Sequence, residues 1–329
     1  MNACLILNPA AGQRDVHSEL AQAIAYLEGC GWQVTRRETL GHGDATTFAR
    51  QAVCAGCDVV LTCGGDGTLN EAVQALAGTA VALGALPVGT GNVWARQIGL
   101  PIGHPAAAAR LLAAGERRTI DLGLITGLPM GAPGTADVVQ PEMAGLAGQR
   151  YFLLWAGIGF DATVAQEMET GQRELKRHLG IPAYVISGLV TAVSFLGTRA
   201  TFVIDGMRVR RRVLLAVVAN ARLYAAILHL APQARLDDGW LDVVLFQGQG
   251  AISTVRHFLS LLARQHLRDP EVTYYRAKEI QVQTARPLLV QADGEPVGST
   301  PLTFRVVPRA LSVLLPSPVP EHLFTAPCR

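Results

Sequence analysis

The run Gly64-Gly65-Asp66-Gly67-Thr68-Leu69-Asn70-Glu71 limits what this 329-residue chain can fold into more than any other stretch. It follows an apolar segment, residues 58 to 63, that reads as a buried parallel strand, and it leads into residues 71 to 77, whose apolar spacing is helical. A glycine-rich turn between strand and helix permits positive φ and lets a ligand touch bare backbone. The new helix points its free N–H groups and positive dipole end at the same spot. Such a turn is a seat for phosphate. Asp66 adds a condition, because a carboxylate at that seat repels its ligand unless a metal ion or a proton transfer is involved. Thr68 and Glu71 also fit a T-x-x-E capping box, so part of the run could simply start a helix.

The flanking sequence repeats this grammar. Residues 4 to 7 read as a short strand that exits into Asn8-Pro9-Ala10-Ala11-Gly12, and Asp15 can cap a helix with Val16, Leu20, Ile24 and Leu27 on one face. A strand is predicted over 32–39, a helix over 44–54 and a strand over 81–86, the last leaving through Pro87-Val88-Gly89-Thr90-Gly91-Asn92. The order βαβαβαβ predicts an α/β domain built on a doubly wound, mostly parallel sheet. Ligands then sit at the carboxyl ends of its strands, where the exits at Asn8, Gly64 and Gly89 converge. After a helix over 105–114 strands outnumber helices. Residues 118–126, 151–156, 200–205, 209–218, 241–246, 279–284, 288–292 and 302–307 read as strands, with helices at 161–169, 181–196 and 251–262 and a Gly/Pro/Ala-rich insertion at 127–148. These patterns predict an α/β domain over 1–120 and a mainly antiparallel β domain over 121–307, with 308–329, including the apolar run 310–315, available to return to the first.

Composition removes several functions. Half of the residues are hydrophobic and the net charge is +2, which argues against a nucleic-acid partner. Lys176 and Lys278 are the only lysines and neither follows glycine in a G-K-[ST] setting, so a Walker P-loop is excluded. Cys54 and Cys57 have no second pair at ligand spacing, and the histidines form no ligand-spaced cluster. The start of the chain has no basic n-region, which places the protein in the cytoplasm. Residues 179–197 carry no charge but are interrupted by Pro182 and three glycines, and read as lining an apolar cleft rather than spanning a bilayer. Arg208, Arg210, Arg211 and Arg212 fit either a lipid head-group contact or a solvated strand edge.

Seven motifs stand in one order: Asn8-Pro9-x-x-Gly12, GGDGTLNE from Gly64, LPVGTGN from Leu86, Ile120-Asp121-Leu122-Gly123, Gly157-Ile158-Gly159-Phe160-Asp161, Asp237-Asp238-Gly239-Trp240-Leu241-Asp242 and Asp293-Gly294-Glu295. Together they resemble the bacterial diacylglycerol kinase catalytic family, with sphingosine and ceramide kinases as relatives and NAD kinases and phosphofructokinases further away. The resemblance implies an ATP-binding domain, a lipid-binding β domain and catalysis between them. It implies nucleotide contacts from Asn8, Pro9, Ala10, Ala11 and Gly12, from Thr39, from Gly64, Gly65, Asp66, Gly67, Thr68, Leu69 and Asn70, and from Thr90, Gly91 and Asn92. It places the general base on Glu295, with Asp293, Asp66 and Asp121 as further acids of the site. It places Mg2+ on Asp238 with main-chain carbonyls of Arg235 and Trp240, Asp66 joining through water. The chemistry agrees, since phosphoryl transfer asks for positioned phosphates, a neutralising metal and a group to deprotonate the attacking hydroxyl.

The expected activity is therefore ATP-dependent phosphorylation of a hydroxyl on a diacylglycerol-like or long-chain lipid. The partners expected are a lipid at the membrane surface, reached by peripheral association, and a second copy of the chain as a homodimer. NAD kinase shares GGDGT, although Val93-Trp94-Ala95-Arg96 after GTGN follows the lipid-kinase pattern. One departure keeps a further alternative open, a degenerate lipid-binding or regulatory scaffold. Where the family often has a glycine-rich turn near Asn220, this chain has bulky residues from Arg222 to Pro232.

Overall fold

Strands buried along their whole length need cover on both faces, and the first part of the chain provides it. In the computed structural model, which describes residues 1–12, 17–127, 148–159, 197–225 and 227–325, β3 (Val59–Gly64) and β4 (Ala82–Pro87) are buried at every position. β1 (Asn2–Leu7) is buried from Ala3 onward, whereas β2 (Gln33–Glu38) is largely exposed and forms the edge. The order is β2-β1-β3-β4, all parallel, with Leu7 opposite both Glu38 and Cys63. Helices α1 (His17–Gly29) and α5 (Pro105–Ala113) pack on each other, as do α2 (Asp44–Cys54) and α3 (Asp66–Leu76). From β1 the chain steps outward to β2 and then returns across β1 to β3. The sheet's topological switch point therefore lies between β1 and β3, where ligands of such sheets bind.

The chain divides into two compact units. The first holds Met1–Leu122, Arg235–Asp238 and Pro308–Arg329, and the second holds Gly123–Ala234 and Gly239–Val307. Two strands run through this division, β5 (Glu116–Thr126) and β17 (Leu302–Leu315), and the far end of β17 joins the first sheet through Val313 opposite Leu83.

The second unit is antiparallel. It comprises β6 (Gln149–Phe152), β7 (Trp155–Gly159), β8 (Thr198–Ile204), β9 (Met207–Ala219), β12 (Leu241–Gln247), β13 (Val272–Ala277), β14 (Glu279–Thr284), β15 (Leu289–Ala292), β16 (Glu295–Ser299) and the start of β17. A small hairpin, β10 (Leu223–Tyr224) with β11 (Leu228–His229), occupies the stretch where bulky residues replace the expected glycines. Its Tyr224 packs on Trp155, ring centroids 5.1 Å apart. The core is aliphatic with three phenylalanines, Phe152, Phe202 and Phe304, at its centre.

Several elements differ from their sequence reading, each for a physical reason. Residues 151–156 form two strands, because the N–H groups of Leu153, Leu154 and Trp155 leave the ladder for the Asp293 carboxylate. Residues 302–307 and 310–315 form one strand despite Pro308, since the Arg309 N–H is taken by Asp121 Oδ1 at 2.7 Å. β13 has strand-favouring Val, Thr and Tyr but no apolar alternation, and β16 holds Pro296 and Gly298, so neither stands out in the sequence. The capping box is absent. α3 starts at Asp66 with Gly65 as its N-cap, so Thr68 already lies inside the helix, and Glu71 reaches the Ala45 N–H at 3.1 Å instead. The Asp15 cap with Val16, the helices at 161–169 and 181–196, the cleft-lining reading of 179–197 and nearly all of the insertion at 127–148 fall outside the described residues. Among the described residues no helix is long and apolar enough to cross a membrane.

Gly123 shows how tightly the second core is filled. A Cβ there would lie 1.9 Å from the Phe152 ring, directly across the β5–β6 ladder. Gly123→Ala is expected to destabilise the protein by about 1–3 kcal/mol through overpacking. Urea unfolding of both proteins measures this, and an unchanged midpoint would contradict the packing described.

Candidate active site

The strand exits of the first unit converge at the switch point. Asn8 follows β1, its N–H donating to Cys63 O at 2.9 Å and its side-chain amide to Thr68 Oγ1 at 3.1 Å. Its Oδ1 accepts from the Ala10 N–H at 3.0 Å, which folds Asn8-Pro9-Ala10-Ala11 into a tight turn with Pro9 and Ala10 exposed. Gly12 closes the turn at φ +87°, against Val88 O. Thr39, at the end of β2, is buried and donates its N–H to Leu7 O at 2.9 Å.

Gly64, Gly65 and Gly89 are required in different ways. A Cβ on Gly64 would meet Thr68 Oγ1 at 2.6 Å, and one on Gly89 would meet Gly65 Cα at 2.8 Å, so both are demanded by the protein's own packing. A Cβ on Gly65 would meet only Gly89 Cα, at an ordinary 3.8 Å, and its backbone is extended at φ −102°. The chain alone therefore does not need glycine at 65, whereas a ligand approaching the amino end of α3 does. Gly67 is exposed on the same turn, while Leu69 and Asn70 are buried beneath it.

Asp66 is held by α4 (Val93–Gln97). Its Oδ2 accepts from the Val93 N–H at 3.0 Å and its Oδ1 from the Trp94 N–H at 3.3 Å. Burial holds this carboxyl above the ordinary carboxylate range, while the N–H groups of Val93, Trp94 and Asn92 and the charge of Arg96 favour the anion. Gly91 lies against it, since a Cβ there would be 3.1 Å from Oδ2. Thr90 is exposed, and Asn92, at φ +46°, is buried with its side-chain amide on Gly89 O. A cavity of about 10 Å³, room for one water, lies among Gly64, Gly65, Asp66, Leu69, Asn92 and Trp94.

The other acids fall into two groups. Asp121 is fully buried, its own N–H on Leu236 O at 2.6 Å and its carboxylate on Arg309. The segment carrying Asp238 is braced by the end of the chain. Arg235 donates to Phe324 O at 2.8 Å, Leu236 N–H to Leu323 O at 2.8 Å, and Asp237 receives both the N–H and the hydroxyl of Thr325, at 2.7 and 2.9 Å. Asp237 is thereby tied to the tail, and Asp238 beside it is likewise half-exposed. Trp240, in the second unit, stacks under Lys278 at 4.9 Å. Among the described residues no three His, Cys, Asp or Glu side chains form a cage, so a cation on this segment would take main-chain oxygens and water beside one carboxylate, hard donors that suit magnesium.

In the second unit, Asp293-Gly294 is the two-residue turn between β15 and β16, with φ +49° and +91°, the positive pair that a type I′ hairpin demands. The Asp293 carboxylate accepts three backbone N–H groups, from Leu153, Leu154 and Trp155, at 2.7, 2.8 and 2.9 Å. Burial pushes its carboxyl up to about 7 against the pull of these donors and of Arg150. Glu295, two residues on, is ion-paired with Arg150, which is buried. Sequence reading missed Arg150, although its position in phase with Phe152 on β6 marks it as inward-pointing. It also missed the tail from Leu323 to Thr325, which no local pattern signals.

The family model of the diacylglycerol kinase catalytic domain matches residues 2–125, and that of the YegS C-terminal NAD kinase beta sandwich-like domain matches residues 155–315. The sequence is 31% identical over 312 residues to a diacylglycerol kinase of Mycobacterium tuberculosis (strain ATCC 25618 / H37Rv), covering 94% of each chain. The chain belongs to the diacylglycerol kinase family. Another member, from Bacillus subtilis (strain 168), is 28% identical over 323 residues, 98% of each chain. A crystal structure of a diacylglycerol kinase from Bacillus anthracis str. Sterne shares the fold, with a TM-score of 0.71 at 21% identity over 97% of this chain and 98% of that one. Membership of the diacylglycerol kinase family makes the protein a kinase, with an α/β domain followed by an antiparallel β domain.

The raised Asp293 carboxyl gives a pH prediction with a definite sign. The native state holds the proton more tightly than the unfolded chain, so this group's contribution to stability is greatest in acid. It declines as pH rises from about 4, the ordinary Asp value, to about 7. Asp293→Asn cannot titrate. Urea unfolding across that window should show wild-type stability falling relative to the variant as pH rises, and parallel curves would count against the raised value.

Proposed function

We propose that this kinase transfers the γ-phosphoryl group of ATP to the hydroxyl of a diacylglycerol-like or other long-chain lipid at a membrane surface. The observation that carries the nucleotide half is Gly65, half-buried at the switch point and at the amino end of α3, where there is room for a Cβ and the protein itself does not require glycine. In this reading Gly64 to Asn70 seat the phosphates, while Asn8 to Gly12, Thr39 and Thr90 to Asn92 contact the nucleotide around them. Asp238, with main-chain oxygens of Arg235 and Trp240, would hold magnesium, and Asp66 would join it through water. The ion, when bound, neutralises the charge of the transferring phosphoryl group.

Glu295 accepts the proton of the lipid hydroxyl, with Arg150 orienting its carboxylate, and Asp293 fixes the turn that carries it. The intrinsic roles differ: Asp293, Asp121 and Asp66 are held by backbone donors, while Glu295 is paired with the Arg150 side chain.

Three variants test the roles. Gly65→Val is expected to lose ATP binding by calorimetry with the fold kept, since its side chain occupies the approach to the helix end; normal affinity in a folded variant would remove the phosphate seat. Glu295→Gln keeps the shape but takes no proton, so turnover should drop by about 10²-fold or more with ATP affinity unchanged. Near-normal turnover, where chemistry limits the rate, would move the base elsewhere. Asp238→Ala should also lose turnover but recover part of it at high magnesium. Equal rescue of both variants, or of neither, would defeat the division between metal ligand and base.

A further inference from the structure

The helix α6 (Gly250–Leu262) is patterned the wrong way round for a helix facing water. Its inward face is formed by His257 and Leu261, with His257 Nε2 2.7 Å from Gln247 O and the imidazole edge-on to Phe246 at 5.4 Å. The outward face carries Ile252, Val255, Leu259 and Leu262, spaced three or four apart and therefore in one stripe. All four are exposed, Ile252 by 87% and Leu259 by 57%. The helix contains no acidic residue. It packs on β11, and Ile227, in the turn of that hairpin, is exposed as well. Single exposed aliphatics are unremarkable, but a full stripe marks a surface that meets something apolar.

Charge at both ends of the stripe identifies what it meets. At the amino end, Gly248 N–H donates to Arg212 O at 3.3 Å, which sets the close of the exposed arginine run of β9 beside the start of α6. Arg212 stands opposite Arg199 in the β8–β9 ladder, and Ala285 N–H donates to Arg199 O at 3.0 Å, bringing Arg286 to the same corner. Like charges directly opposite each other are unfavourable unless an anion lies over them. At the carboxyl end, Gln265 N–H closes on Ser260 O at 2.8 Å and leaves Arg264 at φ +55°, a left-handed position that glycine usually fills. Arg268 follows. These five arginines are exposed and none forms an ion pair among the described residues. Arg256, on α6 itself, is paired with Asp269 at 3.1 Å and with Glu271.

We propose that α6 is an interfacial helix that seats this face on an anionic phospholipid surface. The aliphatic stripe enters the acyl boundary and the arginines at both ends meet head-group phosphates. With 13 residues the helix is about 20 Å long, shorter than the roughly 30 Å of a bilayer's hydrocarbon core, so it lies along the surface. Its use rests on the lipid-kinase reading, since the acceptor resides in a bilayer, but its geometry does not. A second copy of the chain is the lesser candidate, because Asp269 and Glu271, the acids beside the stripe, are already engaged by Arg256 and leave a partner's arginines unmatched.

The test is flotation of the full chain with vesicles of phosphatidylcholine and phosphatidylglycerol. Ile252→Glu combined with Leu259→Glu should lower vesicle binding by about 10-fold or more, with the unfolding transition unchanged because both residues face outward. Ile252→Trp reports without disrupting the face: its emission should shift to shorter wavelength on adding vesicles. Full binding by the double variant, no binding by the wild type, or no emission shift overturns the proposal, as does a wild-type dimer that the double variant breaks while vesicle binding persists. Turnover of a short-chain diacylglycerol dissolved as monomers is measured alongside. Retained turnover in the double variant supports the separation of docking from chemistry. Absent turnover in the wild type, with vesicle binding still dependent on the stripe, would remove the lipid-kinase reading and leave the docking face standing.

Discussion

A carboxylate taken out of water must find donors or give up its charge, and this protein uses that requirement to fix its turns. Asp66 ties the glycine-rich turn after β3 to the start of α4, Asp121 takes the N–H of Arg309 within β17, and Asp293 gathers three N–H groups from the bend between β6 and β7. Each acid belongs to a motif that sequence reading marks as chemical. Each carboxylate takes backbone N–H groups of a segment distant in the chain, and each acid adjoins a residue proposed to act: Asp66 opens α3, Asp121 donates its own N–H to Leu236 O near Asp238, and Asp293 sits in the hairpin of Glu295.

The glycines divide in a parallel way. Gly64, Gly89 and Gly123 are small because the chain passes too close for a Cβ, and substituting them tests packing. Gly65 is small although the chain leaves it room, and that difference points outward to a ligand. A motif string such as GGDGT gives all its glycines equal standing. The distances to neighbouring atoms separate the glycines that the fold needs, Gly64 and Gly89, from Gly65, which the fold does not need.

On the second unit, the same kind of reading reverses a rule. Helix α6 places its large aliphatic side chains toward solvent, flanked by unpaired arginines, and the bulky hairpin that stands in for a glycine-rich turn lies beside it with Ile227 exposed. The departure from the family pattern near Asn220 is then a rebuilt surface: Tyr224, Leu228 and Leu230 are buried within it, and Ile227 in its turn faces outward.

What the sequence determined by itself was local and periodic. Alternating strands and helices over the first 120 residues, glycine-rich exits after β1, β3 and β4, and the helix over 44–54 follow from apolar spacing and turn chemistry, which are short-range properties of the chain. The seven motifs sufficed for the family. The tertiary structure decided everything that depends on a distant partner. It made Thr68 a partner of Asn8 rather than a helix cap, split residues 151–156 by drawing their N–H groups to Asp293, set Arg150 against Glu295, and bonded Thr325 to Asp237. None of these contacts leaves a trace in spacing, because a buried polar group is satisfied by whichever donor the fold brings to it, and sequence separation plays no part in that choice.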